Sequence, residues 1–321
     1  MNKTTRLIAA TLLLASNFAF AQTAAPAAHA AAAAPVAAAA NLADLLASSP
    51  TYKNIKEKGV IVMSTRETSG PFSYNNGSDQ FIGYTAEICE NVVRSMRVEL
   101  GLDALRVIYL PVTGPERIEF LEKGYIDIDC TSTTITKSRA EKVNFSYATF
   151  YSQTMFTGDK TKKLETIEDL RGVTVAVSDG TIQSKFLGEL NEKGYKIKVL
   201  SYKNPQEAYL ATIDGKADFV TSDDLLLLVM KDSIADSANR LKLFGLTVLP
   251  NTYGIGLPKS DPAFTQIFNR HLKALFDSKK TEQLYAKWFL APIPPKGKAM
   301  DWPIGKTKDL FETPTSEALL P

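Results

Sequence analysis

The chain has 321 residues, of which 45% are hydrophobic, and its formal net charge at pH 7 is +2. A nearly neutral balance gives no general reason to expect a nucleic-acid partner or an anionic membrane surface. The only histidines, His29 and His271, supply histidine acid–base chemistry poorly, and the sequence has no metal-ligand cluster or nucleophile–base motif. We therefore expect no catalytic residue, no metal site and no cofactor.

The N-terminus, MNKTTRLIAATLLLASNFAFAQ, predicts a secretory signal peptide over residues 1–21. Two cations precede a short apolar core, and Ala-Phe-Ala is a cleavage signal, so we expect cleavage after Ala21 and export to a bacterial periplasm. The alanine-rich stretch at 22–40 lacks the large side chains that offset the entropy of ordering, which predicts a flexible leader over residues 22–45. The rest of the chain is long enough for two lobes.

Strand and helix patterns alternate through both halves of the remaining chain. The first half predicts a strand at 59–67, a hairpin with Asn76-Gly77 at its tip and a helix from about Thr85 to Gly101. A strand at LRVIYLPV follows, and then a helix that a capping box at Thr113 and Glu116 opens and Gly124 closes. The last element of this half is a strand at YIDID. The second half predicts a strand at 172–180, a helix at 181–194, a strand at YKIKVLSY, a helix at 205–214 and a strand at ADFVTSDD. This repeated order predicts two similar α/β lobes.

A change of pattern near Tyr253 predicts how the lobes are joined. Helices over about 262–289 and a proline-rich tail follow, and both need a surface to pack on. Their return to the first lobe gives two crossings between the lobes, an arrangement that permits hinge bending. We therefore predict lobe 1 at 46–149 and 253–321, and lobe 2 at 150–252 with the hinge crossings.

Polar side chains follow the predicted strands at the ends where open α/β sheets bind ligands. The candidate ligand-binding residues are Arg66, Arg117, Ser132, Thr134, Arg139, Thr181 and Asp223. Three arginines on one lip of a cleft and one carboxylate on the other suit a small zwitterion with an additional negative charge.

Each candidate also has a structural explanation. Arg66 suits a solvated strand end, and the hydroxyls at 131–134 suit turn chemistry. Thr181 can be explained as a helix N-cap. Asp223 can equally be explained as an N-cap or as the partner of a ligand amine group.

Arg139 is placed by a second predicted capping box, formed by Ser138 and Glu141. The box puts Arg139 in the first turn of a short helix, where a cation opposes the helix dipole. Arg117 lies in a first helical turn as well. Two arginines in electrostatically unfavourable positions favour anion binding over solvation.

The cysteines, Cys89 and Cys130, are two in number. They could pair in an oxidising compartment. Both lie in apolar patterns, however, and this favours buried free thiols.

With these residues the sequence resembles the periplasmic solute-binding proteins of polar amino acid ABC transporters, and it looks closest to the glutamate/aspartate-binding group. The resemblance runs from about Leu46 to the C-terminus. It is carried by GVIVMSTRETSGPFSY, ERIEFLEKGYIDIDCTSTT, TKSRAEKVNFS, VSDGT, DGKADFVTSDD and KWFLAPIPPKG.

The resemblance implies an α/β fold of two lobes, the type II or Venus-flytrap architecture with a double crossover hinge. It implies a monomer that closes on L-glutamate or L-aspartate and delivers it to a membrane permease. Carried over to this chain, Arg139 would pair with the ligand α-carboxylate, helped by Thr134 and Thr181. Asp223 and the Ser132 region would take the α-ammonium group, and Arg66 and Arg117 would receive the side-chain carboxylate.

Two departures from the family pattern leave the specificity open. Gly114 stands where a serine is expected beside the ligand, and Pro205 stands where a histidine is expected on the second lobe. One alternative is a binder of another polar amino acid, such as glutamine or asparagine. Another is a periplasmic dehydratase-like enzyme on the same fold, acting on prephenate-like acids through Asp223 or Glu67.

Overall fold

The computed structural model describes residues 42–78, 80–295, 297 and 299–321. The predicted signal peptide and most of the predicted leader lie outside the described residues. The predicted leader ends inside a helical segment at 42–48. Within the described part of the chain, no helix combines the length and the apolar character that a membrane crossing requires.

The strands alternate with helices in the order that the hydrophobic periodicity predicts. The strands are β1 (Val60–Thr65), β2 (Thr68–Ser69), β3 (Ser73–Asn75), β4 (Phe81–Ile82), β5 (Arg106–Pro111), β6 (Ile128–Asp129), β7 (Val143–Phe145), β8 (Phe150–Asp159), β9 (Thr174–Ser178), β10 (Lys198–Tyr202), β11 (Phe219–Asp223), β12 (Leu241–Tyr253) and β13 (Gly256–Pro258). The α-helices are α1 (Pro50–Lys58), α2 (Tyr84–Leu100), α3 (Glu116–Glu122), α4 (Lys137–Ala140), α5 (Ile182–Glu192), α6 (Pro205–Ile213), α7 (Asp224–Ser233), α8 (Ser237–Arg240), α9 (Pro262–Asp277), α10 (Lys280–Tyr285) and α11 (Thr307–Glu312). Besides these helices and the helical segment at 42–48, the described residues form a 3₁₀-helix at Ile167–Leu170 and a π-helix at Ala286–Leu290.

In the part of the chain that the structure describes, these strands form two five-stranded sheets and a small three-stranded one. The first large sheet has the order β5-β1-β6-β13-β7, and the second has the order β10-β9-β11-β8-β12. In both, the first three strands of that order are parallel. Because parallel strands are joined by helical crossovers, each sheet places its strand ends and its helix starts at one edge.

The two halves repeat one hydrogen bond as well as the order of elements. In the first sheet the Asp127 carboxylate accepts from the Val62 amide at 2.8 Å. In the second sheet the Asp218 carboxylate accepts from the Thr174 amide at 2.8 Å. Each aspartate thus ties the start of its own strand to a neighbouring parallel strand.

The chain crosses between the sheets twice, at the start of β8 and at the end of β12. These strands pair antiparallel there, with Phe150 opposite Tyr253 and Ser152 opposite Asn251. The rings of Phe150 and Tyr253 stack at 5.7 Å, and Phe72 packs edge-on against both, at 4.7 and 5.0 Å. This aromatic contact anchors both crossing strands to the first lobe.

The expectation of free thiols is wrong, because Cys89 and Cys130 form a disulfide. Cys89 lies in α2 and Cys130 directly follows β6, and packing of the helix on the sheet brings their Cα atoms to 6.2 Å. Burial alone therefore did not distinguish thiols from a disulfide, since both side chains are fully buried.

The predicted capping box at Thr113 and Glu116 forms only in part. The Glu116 carboxylate accepts from the Thr113 amide at 2.7 Å, but α3 begins at Glu116 with Pro115 at the N-cap. Proline has no side-chain acceptor, so the reciprocal bond to the helix is missing. Gly124, with φ of 69°, follows the end of α3 as expected for a left-handed C-terminal residue.

Candidate functional site

One cleft between the lobes brings together all seven candidate residues from the sequence. Its walls lie close together, and its cavity volume is ≈ 20 Å³. The residues that line it are Arg66, Ser69, Arg117, Ser132, Thr134, Arg139, Thr181, Ile182, Gln183, Pro205, Ser222, Asp223 and Leu226.

The hydroxyl run after β6 divides into structural and cleft-facing members. Thr131 and Thr133 donate to the two carboxylate oxygens of the buried Asp129, at 2.9 and 2.5 Å. Ser132 and Thr134, which alternate with them, line the cleft instead. The alternation follows from extended backbone, in which successive side chains point to opposite faces.

The three arginines converge on the cleft from three strand ends and are held by carbonyl groups. Arg66 Nη1 donates to the Val112 carbonyl at 3.0 Å. Arg117 Nη1 donates to the Ser132 carbonyl at 3.1 Å and to Thr133 Oγ1 at 3.0 Å. A guanidinium has five N–H donors, so these bonds fix each group while leaving donors for an anion.

Arg139 reaches from the first lobe to the second. Its Nη1 donates to the Thr134 carbonyl and its Nη2 to the Gly180 carbonyl, both at 2.9 Å. The helix that carries it, α4, is capped by Thr136, whose hydroxyl accepts from the Arg139 amide at 3.1 Å. The predicted capping box with Ser138 as the N-cap is therefore wrong, because Ser138 lies inside the helix.

The electrostatics of the cleft favour an anion. Burial, followed by repulsion from Arg117, lowers the pKa of Arg66 to about 10 and that of Arg139 to about 9, while Asp129 opposes the shift in both. Burial also lowers the pKa of Arg117. Arginine side chains keep their charge in proteins. Asp129 and Asp223 already offset part of the repulsion among these three, and a negative charge placed among them would offset more of it.

The facing wall comes from the second lobe and carries one carboxylate. Asp223 stands at the N-cap of α7, yet its side chain makes no capping bond. Its Oδ1 atom instead accepts from Gln183 Nε2 at 3.0 Å and from Asn251 Nδ2 at 3.3 Å. Burial raises the pKa of this carboxyl group, and a cation beside it would oppose that shift.

Thr181 has the structural role that its position suggests. Its hydroxyl accepts from the Ser184 amide at 3.2 Å, as the N-cap of α5, and donates to the Ser178 carbonyl at 2.7 Å. The residue also lines the cleft. Pro205 lines the cleft too, so one of the two departures from the family pattern faces the ligand space.

Sequence reasoning missed two amides that organise the site. Gln183 lies in the first turn of α5, where a polar residue resembles any exposed helical position. Asn251 lies in the β12 crossing, next to an irregularity of register between Val248 and Asn251. Besides its bond to Asp223, the Asn251 side chain accepts from Thr134 Oγ1 at 3.4 Å, so it contacts both walls of the cleft.

Known proteins with similar sequences bind amino acids. Residues 61–291 match the family described as bacterial extracellular solute-binding proteins, family 3. The L-glutamate/L-aspartate-binding protein of Pseudomonas aeruginosa is 32% identical over 271 residues, which are 84% of this chain and 89% of that protein. The ABC transporter glutamine-binding protein GlnH of Bacillus subtilis is 28% identical over 240 residues, 74% of this chain and 84% of that protein.

Solved structures show the same architecture. The crystal structure of the P235GK mutant of ArgBP from T. maritima has a TM-score of 0.67 at 24% identity, and covers 74% of this chain and 98% of that one. The two-lobed α/β fold with a double crossover is thereby confirmed. With its two lobes, its shared cleft and a family match over most of its length, the chain belongs to the bacterial extracellular solute-binding proteins, family 3.

Proposed function

We propose that the mature protein is the periplasmic substrate-binding component of an amino acid ABC importer. It binds L-glutamate or L-aspartate by closure of the lobes and delivers the amino acid to a membrane permease as a monomer. Similarity to an L-glutamate/L-aspartate-binding protein over most of both chains supports the ligand class. Similarity to a glutamine-binding protein makes the side-chain charge the question to be tested.

The charge balance of the cleft carries the proposal. Three guanidinium groups and one carboxylate, that of Asp223, line the ligand space. Asp129 and Glu116 also act electrostatically on Arg66 from outside this lining. Asp129 is already engaged by Thr131 and Thr133. The lining of the cleft thus carries more positive than negative charge, which suits the net negative charge of glutamate or aspartate. A neutral amide ligand would leave that excess buried, at a cost in free energy.

Each end of the ligand has an assigned partner. Arg139, helped by Thr134 and Thr181, takes the α-carboxylate, while Asp223 and the Ser132 region take the α-ammonium group. Arg66 and Arg117 take the side-chain carboxylate. Charge-assisted hydrogen bonds contribute roughly 1.5 to 3 kcal/mol each, so a few of them account for the ~8 kcal/mol of micromolar binding.

Closure follows from the division of these residues between the lobes. The arginines belong to lobe 1 at 46–149 and 253–321, whereas Thr181 and Asp223 belong to lobe 2 at 150–252. A ligand therefore gains the second set of contacts only in the closed state and shifts the population toward it. Export by a signal peptide over residues 1–21, cleaved after Ala21, completes the proposal.

Calorimetry with the twenty amino acids tests the proposal, on protein unfolded and refolded to remove any bound ligand. We expect glutamate and aspartate to bind. Glutamine and asparagine should bind with dissociation constants at least about tenfold higher, because they lose at least one charge-assisted hydrogen bond. Binding of neutral or basic amino acids without binding of acidic ones would refute the specificity. Turnover of prephenate or arogenate by the purified protein would refute the transport role.

A further inference from the structure

The two lobes touch backbone to backbone beside the cleft. Gly114 and Pro115 of lobe 1 lie against Asp179 and Gly180 of lobe 2. A Cβ atom at position 114 would lie 2.1 Å from the Asp179 carbonyl oxygen, and one at position 180 would lie 2.7 Å from the Pro115 nitrogen. At this separation of the lobes, neither glycine has room for a side chain.

The obstacle at Gly114 is main chain, so no change of rotamer relieves it. The Asp179–Gly180 turn is held at both ends, because the Asp179 amide donates to the Tyr202 carbonyl at 2.9 Å and Thr181 caps α5. Real Cβ atoms essentially never approach closer than 3.0 Å. A methyl group at position 114 would therefore part the lobes here by about 1 Å, since packed main chain does not compress.

The same turn carries two groups of the cleft. The Gly180 carbonyl accepts from Arg139 Nη2 at 2.9 Å, and Thr181 is the next residue. A further separation of about 1 Å takes the Arg139 bond beyond hydrogen-bonding range. It also withdraws Thr181 from a ligand held by the arginines of lobe 1.

We infer that Gly114 is an affinity-determining residue, because only a residue without a side chain at this position lets lobe 2 complete the cleft. The inference rests on the proposed function in that it requires an amino acid on which the lobes close. Gly114 is a positioning residue, since it acts through the Asp179–Gly180 turn. Gly114 has no side chain at a position where the family pattern has a serine, and the lobes can therefore approach each other more closely here.

Gly114→Ala is the direct test, because the Gly114 backbone lies outside the left-handed region and accepts alanine. The probe is the amino acid that the wild type binds most tightly among the twenty. We expect the dissociation constant to rise by about tenfold or more, as for the loss of one charge-assisted bond, with the thermal midpoint of the ligand-free protein unchanged. Gly188→Ala is the matched control, since nothing lies within 4 Å of its Cβ position, and it should bind as the wild type does.

A double-mutant cycle with Asp223→Asn separates lobe closure from local damage. Asp223→Asn should weaken amino acid binding strongly in the wild-type background and less in the Gly114→Ala background. Lobe 2 already contributes less to binding in the alanine variant. Equal losses in the two backgrounds, or wild-type affinity in Gly114→Ala, would overturn the inference. If an amino acid other than glutamate or aspartate binds most tightly, the proposed specificity is contradicted. The comparison of the wild type with Gly114→Ala can still be made with that amino acid.

Discussion

Gln183 Nε2 donates to Asp223 Oδ1 at 3.0 Å inside the second lobe. The same amide nitrogen donates to Thr154 Oγ1 at 2.8 Å, so Gln183 joins Asp223 to the strand that crosses from the first lobe. Both side chains are buried, with exposed fractions of 2% and 7%. The proposed ammonium partner is thus oriented by a residue that no sequence motif indicated.

Gln183→Leu should weaken binding of the preferred amino acid by about tenfold, because the Asp223 carboxylate loses one of its two amide donors. Calorimetry provides the measurement. Glutarate, which has no ammonium group, is the matched ligand, and any weak binding of it should be insensitive to the substitution. A similar loss for glutarate would show that Gln183 acts on the whole cleft and does not act through Asp223.

Arg139→Ala and Arg117→Ala should differ in their ligand dependence. Removal of Arg139 should weaken the binding of glutamate and glutamine alike, since both carry an α-carboxylate. Removal of Arg117 should weaken the binding of glutamate more than that of glutamine, since of these two only glutamate carries a side-chain charge. The expected losses are about tenfold or more for each affected group. Equal losses for both variants across both ligands would contradict the assigned roles.

Removal of the disulfide should lower the free energy of unfolding. The bridge spans 41 residues, and loop-closure entropy for that span corresponds to roughly 4 kcal/mol. Denaturant titration of Cys89→Ala/Cys130→Ala measures the loss. Reductant is the control, since it should lower the stability of the wild type and leave the double variant unchanged; an equal response of both proteins would show that the bridge is absent in solution.

Asp224 should make stability fall as pH rises. Burial raises the pKa of its carboxyl group to about 7, an effect that Asp223 reinforces and bonds from Ser152 and the Leu225 and Gln153 amides oppose. The native state then holds a proton that the unfolded state releases, so stability declines between about pH 4 and pH 7, by at most ~4 kcal/mol.

Asp224→Asn tests this titration because it keeps the shape and removes the charge. Denaturant midpoints measured across that pH range should fall for the wild type and stay flatter for the variant. Identical slopes for the two proteins would assign the pH dependence to other groups.

Helices and strands were largely predictable, because their signals are local. Gly101 and Gly124 mark helix ends wherever the rest of the chain lies, and both have the left-handed φ angles expected there. The caps of α3 and α4 were less predictable. Thr136 and Ser138 both carry hydroxyl groups, and only the extended backbone at Thr136, with φ of −130° and ψ of 155°, makes it the N-cap.

The composition of the cleft was predictable in part. Arginines at strand ends could be assigned to one edge because parallel strands share the direction of their carboxyl ends. Asn251 could not be assigned, because it is 117 residues from Thr134 in the chain and reaches it only through the β12 crossing.

The sequence by itself therefore determined the order of elements and the repetition of two lobes, since local patterns of residues encode them. It also determined the cationic character of the cleft, since the arginines follow strand ends that parallel strands bring to one edge. The tertiary structure alone decided the Cys89–Cys130 pairing, the contact of Asn251 with both walls and the meeting of Gly114 with Asp179. Each of these depends on how two distant segments pack, and no local pattern of residues encodes that distance.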